Sequence, residues 1–377
     1  MAAGTIAALP NAGYAASAPT PKAIPGFRIQ KVADGPEGAT NCDDLAYLDG
    51  HVFMTCQNAT LSVGGGGDST IVEYAGDGSV LNTWSLTDKA DGIAGDPLNH
   101  RVIVTLNEDA HSHLATITPS APAGQQVVNY RYSVDPGSHT GTGPLHTGGG
   151  TDSVSVDSRG HVYISASYGI AKTGTAVFKT VLTPPKAAGG TGVATLSPTF
   201  LDNATAANGN TGSGTGLTQL HTSYGLDDIR WATTNGGTLY VADKGPTSSA
   251  HAHSVLYKLT GPFVAGTAYA SSDSIPDQVV TVNLKTGKTT PFIHGLQTAK
   301  GLVYLDASGN EPVLGTGPAA TSTTGGDVST PLHPTAATIT TPGSDRDTLA
   351  IVLGAVAVVL AAGVGCVSLR RRRPGAG

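Results

Sequence analysis

Charge is scarce in this chain. Only 13% of its 377 residues are Asp, Glu, Lys or Arg. The balance is negative, −6 overall, and −10 for residues 1–369 once the arginines at 370–373 are set apart. Nucleic-acid binding needs a basic surface, so that class is excluded. Cysteine is nearly absent too, with three residues, and no Cys/His spacing of a structural zinc site occurs. G-x-S-x-G, H-E-x-x-H and S-x-x-K are all missing, which removes the common hydrolase signatures. The run Gly148-Gly149-Gly150 has no Walker-type lysine or helix start after it and reads as a flexible connection. Up to residue 347 no segment shows a helical apolar period. Little charge with abundant Gly and Thr suits a β-rich exported domain.

What is present is a repeat. A small polar pair followed by an apolar residue and a short strand recurs as Asp43-Asp44-Leu45, Asp91-Gly92-Ile93, Asp152-Ser153-Val154, Asp227-Asp228-Ile229 and, more weakly, Lys300-Gly301-Leu302. A turn and a second strand follow each copy, as in His161-Val162-Tyr163-Ile164 or Thr238-Leu239-Tyr240-Val241. Short strands recurring at this spacing predict an all-β fold, a β-propeller of five to six four-stranded blades. The first blade is expected from 45–48, 52–56, 70–74 and 80–86. The last unit, 302–305 with 312–314, lacks outer strands, and 27–32 supplies one and closes the ring.

Loop lengths divide the predicted disc into two faces. Turns such as Asp49-Gly50, Gly76-Asp77-Gly78 and Asn235-Gly236-Gly237 are tight. The connections 58–69, 137–151, 203–227 and 243–254 are long and share the opposite face. Long loops on a rigid scaffold are where binding surfaces usually lie. The anchor aspartates Asp43, Asp44, Asp91, Asp152, Asp227 and Asp228 open onto that face beside the central channel. A ring of carboxylates there suits a divalent cation such as Ca²⁺; equally, Asp before a strand caps a turn through backbone N–H groups. Two His-x-His pairs, His111/His113 and His251/His253, lie on the same face. In extended backbone residues i and i+2 point the same way, so each pair is a candidate metal ligand set.

Cys42 and Cys56 flank one predicted hairpin that turns at Asp49-Gly50, which sets them nearly opposite each other and predicts a cross-strand disulfide. Cys366 lies in an uncharged apolar run, 348–369, of 22 residues, eleven of them Leu, Ile or Val. As a helix it spans about 33 Å, enough to cross a bilayer, and insertion gains about 3–7 kcal/mol. Arg370, Arg371, Arg372 and Arg373 follow at once and place the C-terminus in the cytoplasm, with everything before the span outside. The Thr/Pro/Ser-rich stretch 315–347 reads as a disordered stalk. Residues 1–26 form a leader in which Ala16-Ser17-Ala18 resembles a signal-peptidase site, and 27–314 are left for the propeller.

The anchors, Asp227-Asp228-Ile229 with Thr238-Leu239-Tyr240-Val241-Ala242-Asp243 above all, resemble the NHL-type and gluconolactonase/regucalcin-like β-propellers over residues 27–314. The resemblance implies the architecture. Lactonases of that superfamily hold a divalent metal with Glu, Asn and Asp side chains; the anchor aspartates match in kind, but the full ligand set has no placed counterpart here. The general look also resembles exported, C-terminally anchored bacterial surface proteins. The expectation is a single-pass, surface-anchored binding module for an extracellular protein, glycan or small molecule. The alternative is a metal-dependent hydrolase or lyase at the channel mouth.

Overall fold

The computed structural model describes residues 20–61, 63–108, 111–133, 151–157, 159–166, 175–201, 228–245, 254–271, 278–283 and 288–312. Among them every regular element is a β-strand, and they form five antiparallel units, four of four strands and one of five. Unit I is β3 (Cys42–Leu48), β4 (His51–Cys56), β5 (Asp68–Tyr74) and β6 (Val80–Thr87), ordered from inside to outside. Unit II is β7 (Ala90–Asp96), β8 (Arg101–Leu106), β9 (His113–Ile117) and β10 (Val127–Tyr132). Unit III is β11 (Thr151–Val156), β12 (Val162–Ala166), β13 (Thr175–Thr183) and β14 (Gly192–Leu201). Packing places the inner strand β3 against β7, and β7 against β11. Units II and III also join at their outer edges: β10 and β14 pair in parallel, Tyr130 opposite Gly192, which fuses them into one eight-stranded sheet.

The last two units depart from the expected chain order. β15 (Asp228–Trp231) pairs with β18 (Ala268–Ser271), and then come β19 (Gln278–Val282), β20 (Thr289–His294) and the short β1 (Lys22–Ala23). β16 (Thr238–Asp243) and β17 (Val255–Thr260) lie instead between the inner strand β21 (Ala299–Leu305) and the outer strand β2 (Arg28–Asp34). So the last unit, expected to lack outer strands, has four, with its middle strands taken from 238–260; residues 313–314, expected as its second strand, lie outside the described residues. The N-terminal strand β2 is its outer strand, as the sequence suggests. The inner strands follow the order β15, β21, β3, β7, β11 around the axis.

The core explains why these strands are apolar on both faces. Side chains alternate along a strand, and each face meets a different neighbour. On β4, Val52, Met54 and Cys56 join Tyr240, Leu256, Val303 and Leu305 of the β21 unit. Phe53, between them, joins Ile71, Trp84, Ile93, Val102 and Val104 in the layer between units I and II. A third layer packs unit II on unit III through Ile103, Leu114, Val154, Ile164 and Phe178. A fourth joins the β15 and β21 units, where Phe27 meets Phe263 at 4.9 Å and Phe292 at 4.8 Å, both edge to face. This layered packing between radial sheets is that of a β-propeller.

The repeated anchor is a β-bulge. Ladder register shifts between Cys42 and Leu45, between Ala90 and Ile93, and between Thr151 and Val154. Each bulge frees a backbone N–H, which must find another acceptor. Asp44 N donates to Thr55 Oγ1 at 2.9 Å and Gly92 N to Thr105 Oγ1 at 3.0 Å. Serines then tie one unit to the next: Cys42 N donates to Ser254 Oγ (2.9 Å), Ala90 N to Ser69 Oγ (2.8 Å) and Thr151 N to Ser112 Oγ (3.0 Å). Cys42 and Cys56 are directly opposed in the ladder and bonded as a disulfide, as expected.

Candidate functional site at the channel mouth

The entry ends of the inner strands lie together at one end of the axis, and among the described residues the first and second members of the anchor pairs do different work there. The second member bonds across units. Asp44 Oδ2 accepts the Ile93 N–H at 3.1 Å, and Asp228 Oδ2 accepts the Leu302 N–H at 2.6 Å. Where the donating strand follows such an aspartate, its own second residue is glycine, Gly92 or Gly301. A Cβ at Gly301 would sit 2.6 Å from Asp44 Cα and 2.7 Å from Asp43 O. The capping reading of the anchor aspartates therefore describes Asp44 and Asp228, with the bond made largely to the next unit.

The first members Asp43 and Asp91 face the mouth. Asp43 meets Lys300 at 3.4 Å, Lys300 being the residue that replaces aspartate in the weakest repeat. The Gln57 side-chain amide donates to Asp43 and, at 2.9 Å, to Asp91 Oδ1. Lys89 Nζ reaches Asp91 at 3.3 Å and is ion-paired with Glu108. The result is one alternating chain across three units: Lys300, Asp43, Gln57, Asp91, Lys89, Glu108. Burial alone would lower the Lys89 pKa, but the charges of Asp91 and Glu108 hold it well above the ordinary lysine value. Burial and the Asp91 charge push Glu108 up to about 7 against the pull of Lys89.

A second cluster forms around Arg230. Arg230, two residues after Asp228 and on the same face of β15, is ion-paired with it. The field of Arg230 also reaches Asp44 and Glu311. Glu311 follows β21 and accepts the Tyr47 N–H at 3.2 Å. Burial raises Glu311 to about 7, and burial together with the Asp228 charge raises Asp44 well above the usual carboxylate range; Arg230 opposes both.

The remaining sequence candidates separate. His111 is exposed with φ 54°, so the pair with His113 is not in extended backbone and the shared-direction argument does not hold for it. The His113 Nδ1 lies 3.2 Å from the His111 carbonyl oxygen. Asp152 is on β11, but its side chain is outside the described residues, as are Asp227, His251, His253 and Arg370–Arg373. Among the described residues no group of three or more His, Cys, Asp or Glu is arranged to hold a metal, and no helix is long and apolar enough to cross a membrane. The segment 348–369 and the stalk lie outside the described residues.

Sequence reasoning missed Lys89, Gln57, Arg230 and Glu311. Lys89 and Arg230 were reachable: each stands two residues from an anchor aspartate, Arg230 on the same face of β15 and Lys89 just before β7. Gln57 and Glu311 meet their partners only through the fold.

No family model matches this chain, and no curated protein matches it. Among solved structures, it is similar to a protein from Lactobacillus plantarum, with 9% identity and a TM-score of 0.36 over 70% of this chain and 88% of that one. It is also similar to the Myceliophteria thermophila Cps50 (Swd1) β-propeller domain, with 11% identity and a TM-score of 0.33, covering 71% and 81%. A luciferin-regenerating enzyme gives 12% identity and a TM-score of 0.23, covering 64% and 65%. Identities of this order say nothing about activity.

Proposed function

We propose that this chain is an exported β-propeller of five to six blades that binds an extracellular partner through its long-loop face. Residues 348–369 anchor it to the membrane, residues 315–347 act as a stalk, and the Arg tail faces the cytoplasm. The observation that carries the binding reading is the neutralised mouth. Asp43 and Asp91 already have the ammonium groups of Lys300 and Lys89 beside them. A divalent cation would have to displace two lysines before it met those oxygens, whereas a polar ligand can bond to the alternating donors and acceptors as they stand.

A second reading, a metal-dependent hydrolase or lyase related in plan to lactonases, is favoured by one group. A Glu108 carboxyl that titrates at about 7 beside Lys89 has the proton affinity of a general acid–base.

Metal analysis and calcium titration of the purified full chain separate the two. Binding without catalysis predicts no stoichiometric metal and a thermal midpoint indifferent to chelator. One tightly held ion per chain, lost in Asp91→Asn, would turn the conclusion to the hydrolase. Protease added to intact cells tests the placement: it should release the propeller and spare a C-terminal tag. A shaved tag on an intact propeller would refute the orientation.

A further inference from the structure

The outer edges of the units are unequal. β10 is joined by β14 over Tyr130–Tyr132, and β20 is joined by β1 at Ile293 and His294 and carries Pro291. β2 is an outer strand, but it carries Arg28, Lys31 and Asp34, and charge on an edge discourages a further strand. β6 is different. Among the described residues its only ladder neighbour is β5. Its sequence, Val-Leu-Asn-Thr-Trp-Ser-Leu-Thr, has no charge and no proline, and six of its eight residues are exposed. Trp84 and Leu86 are buried in the layer with unit II and hold the strand in place. A register shift near Leu81 ends the regular ladder, so the free run is 82–87.

The chain around this edge is mainly acidic: Lys89 follows it but is turned to Asp91 and Glu108, and β2, whose Val32 lies against the Gly78 turn, brings Lys31 already paired with Asp34. Residues 68–88 contain Asp68, Glu73, Asp77 and Asp88 and no Lys or Arg. Asp68, which is exposed, accepts the Ser85 hydroxyl at 2.8 Å; Glu73 accepts the Asn82 amide at 2.6 Å but is buried and paired with His51, so of the two it is Asp68 that presents charge along the strand. Asp77 lies in the turn at one end, and Asp88 follows the other end. A second copy fits poorly. Antiparallel pairing of two β6 strands brings Asp88 of one copy to the Asp77 turn of the other, like charge beside like.

We propose that β6 is a docking edge for an extended segment of a partner protein, with β-branched or hydroxyl residues in its middle and Lys or Arg at its ends. Main-chain hydrogen bonds to the free side of β6 supply the affinity, and the acidic surroundings select the basic flanks. The surface is separate from the channel mouth and the proposal does not depend on it.

The test uses the full chain in detergent with two labelled peptides, KKTVTVTK and EETVTVTE, followed by fluorescence anisotropy. The basic peptide should bind and weaken with salt; the acidic one should not bind. Ser85→Lys and Thr83→Lys, both at exposed positions, should each weaken binding about tenfold, the equivalent of one main-chain bond lost. Thermal melts check that both variants fold. Amide exchange at 82–87 should slow with the basic peptide and at no other edge. The proposal is overturned by equal binding of the two peptides, by no binding of either at millimolar concentration, or by unchanged affinity in both variants. It is overturned as well by peptide-free self-association that Ser85→Lys abolishes, because the occupant would then be a second copy.

Discussion

At Gly301 the inner strands β21 and β3 meet backbone to backbone, and replacing it tests that contact. An alanine Cβ would lie 2.6 Å from Asp44 Cα, 2.6 Å from Leu45 N and 2.7 Å from Asp43 O. All three are backbone atoms in a strand held by the Cys42–Cys56 disulfide and the Asp44 bonds, so no side chain can swing aside. Ordinary contact needs β21 and β3 to separate by most of an ångström, and overpacking of this kind costs about 1–3 kcal/mol, here about 3 because nothing soft yields. For a domain of this size that is a fall of about 6–12 °C in the thermal midpoint. Gly76→Ala is the control: its Cβ meets nothing within 4 Å and its φ is ordinary. It should be neutral or raise the midpoint, by about 0.4–1 kcal/mol from the lost freedom of the unfolded chain. Calorimetry or circular-dichroism melts of the two variants and the parent read the result. If Gly301→Ala melts within a degree of the parent, β21 does not lie against β3 and the order of inner strands is wrong.

Cys42→Ser should lower the midpoint by the equivalent of about 3 kcal/mol, the chain-entropy value for a loop of this length. The parent chain, unfolded without reductant, should show Cys366 as its one reactive thiol, and three reactive thiols would remove the disulfide. Arg230→Ala leaves Asp228, Asp44 and Glu311 without their cation, at a cost of about 3–5 kcal/mol, and part of the loss should return as the pH is lowered and the carboxylates protonate. Urea midpoints at pH 8 and pH 5 measure both effects. In the parent, Glu311 titrates at about 7 when folded against 4.5 ordinarily. The folded state keeps a proton that the unfolded state releases, so this contribution is complete below about 4.5 and is lost as pH rises through 7. Glu311→Gln should flatten that part of the stability profile, and an unaltered slope would show that Glu311 is not buried near Arg230.

Unit I was legible almost strand for strand, because each of its strands is bounded by its own turn signal and follows its neighbour in the chain. The disulfide was legible for the same reason, since a tight turn at Asp49-Gly50 fixes the register of Cys42 and Cys56. The step from β15 to β16 was not. Asn235-Gly236-Gly237 has hairpin chemistry, yet the Ala232 N–H donates to Thr267 O and the chain passes to the neighbouring unit. Gly237 is required there by closeness, for a Cβ would lie 2.4 Å from Leu305 O. Strands that are apolar on both faces carry no mark of which neighbour they join, so pattern alone assigned β16 to β15. The same limit hid the mouth. An aspartate beside an apolar run is visible, but whether it meets a lysine, a glutamine or a metal is decided by chains of contact between units that are far apart in sequence.

The mixed parentage of the last unit bears on how the protein is made. Its outer strand is β2, near the start of the chain, its middle strands come from 238–260, and its innermost strand, β21, ends at Leu305. As the polypeptide emerges, units I, II and III can each complete in turn from contiguous sequence. β2, β16 and β17 instead wait with an open inner edge, apolar on both sides, while β18, β19 and β20 are laid down in the adjoining sheet. The seal between unit I and the β21 unit forms only when β21 slides in beside β3, so a ribosome stalled or a chain cut before residue 299 leaves a molecule with a sticky seam. Such truncations belong with chaperone clients and aggregates, however intact their first three blades.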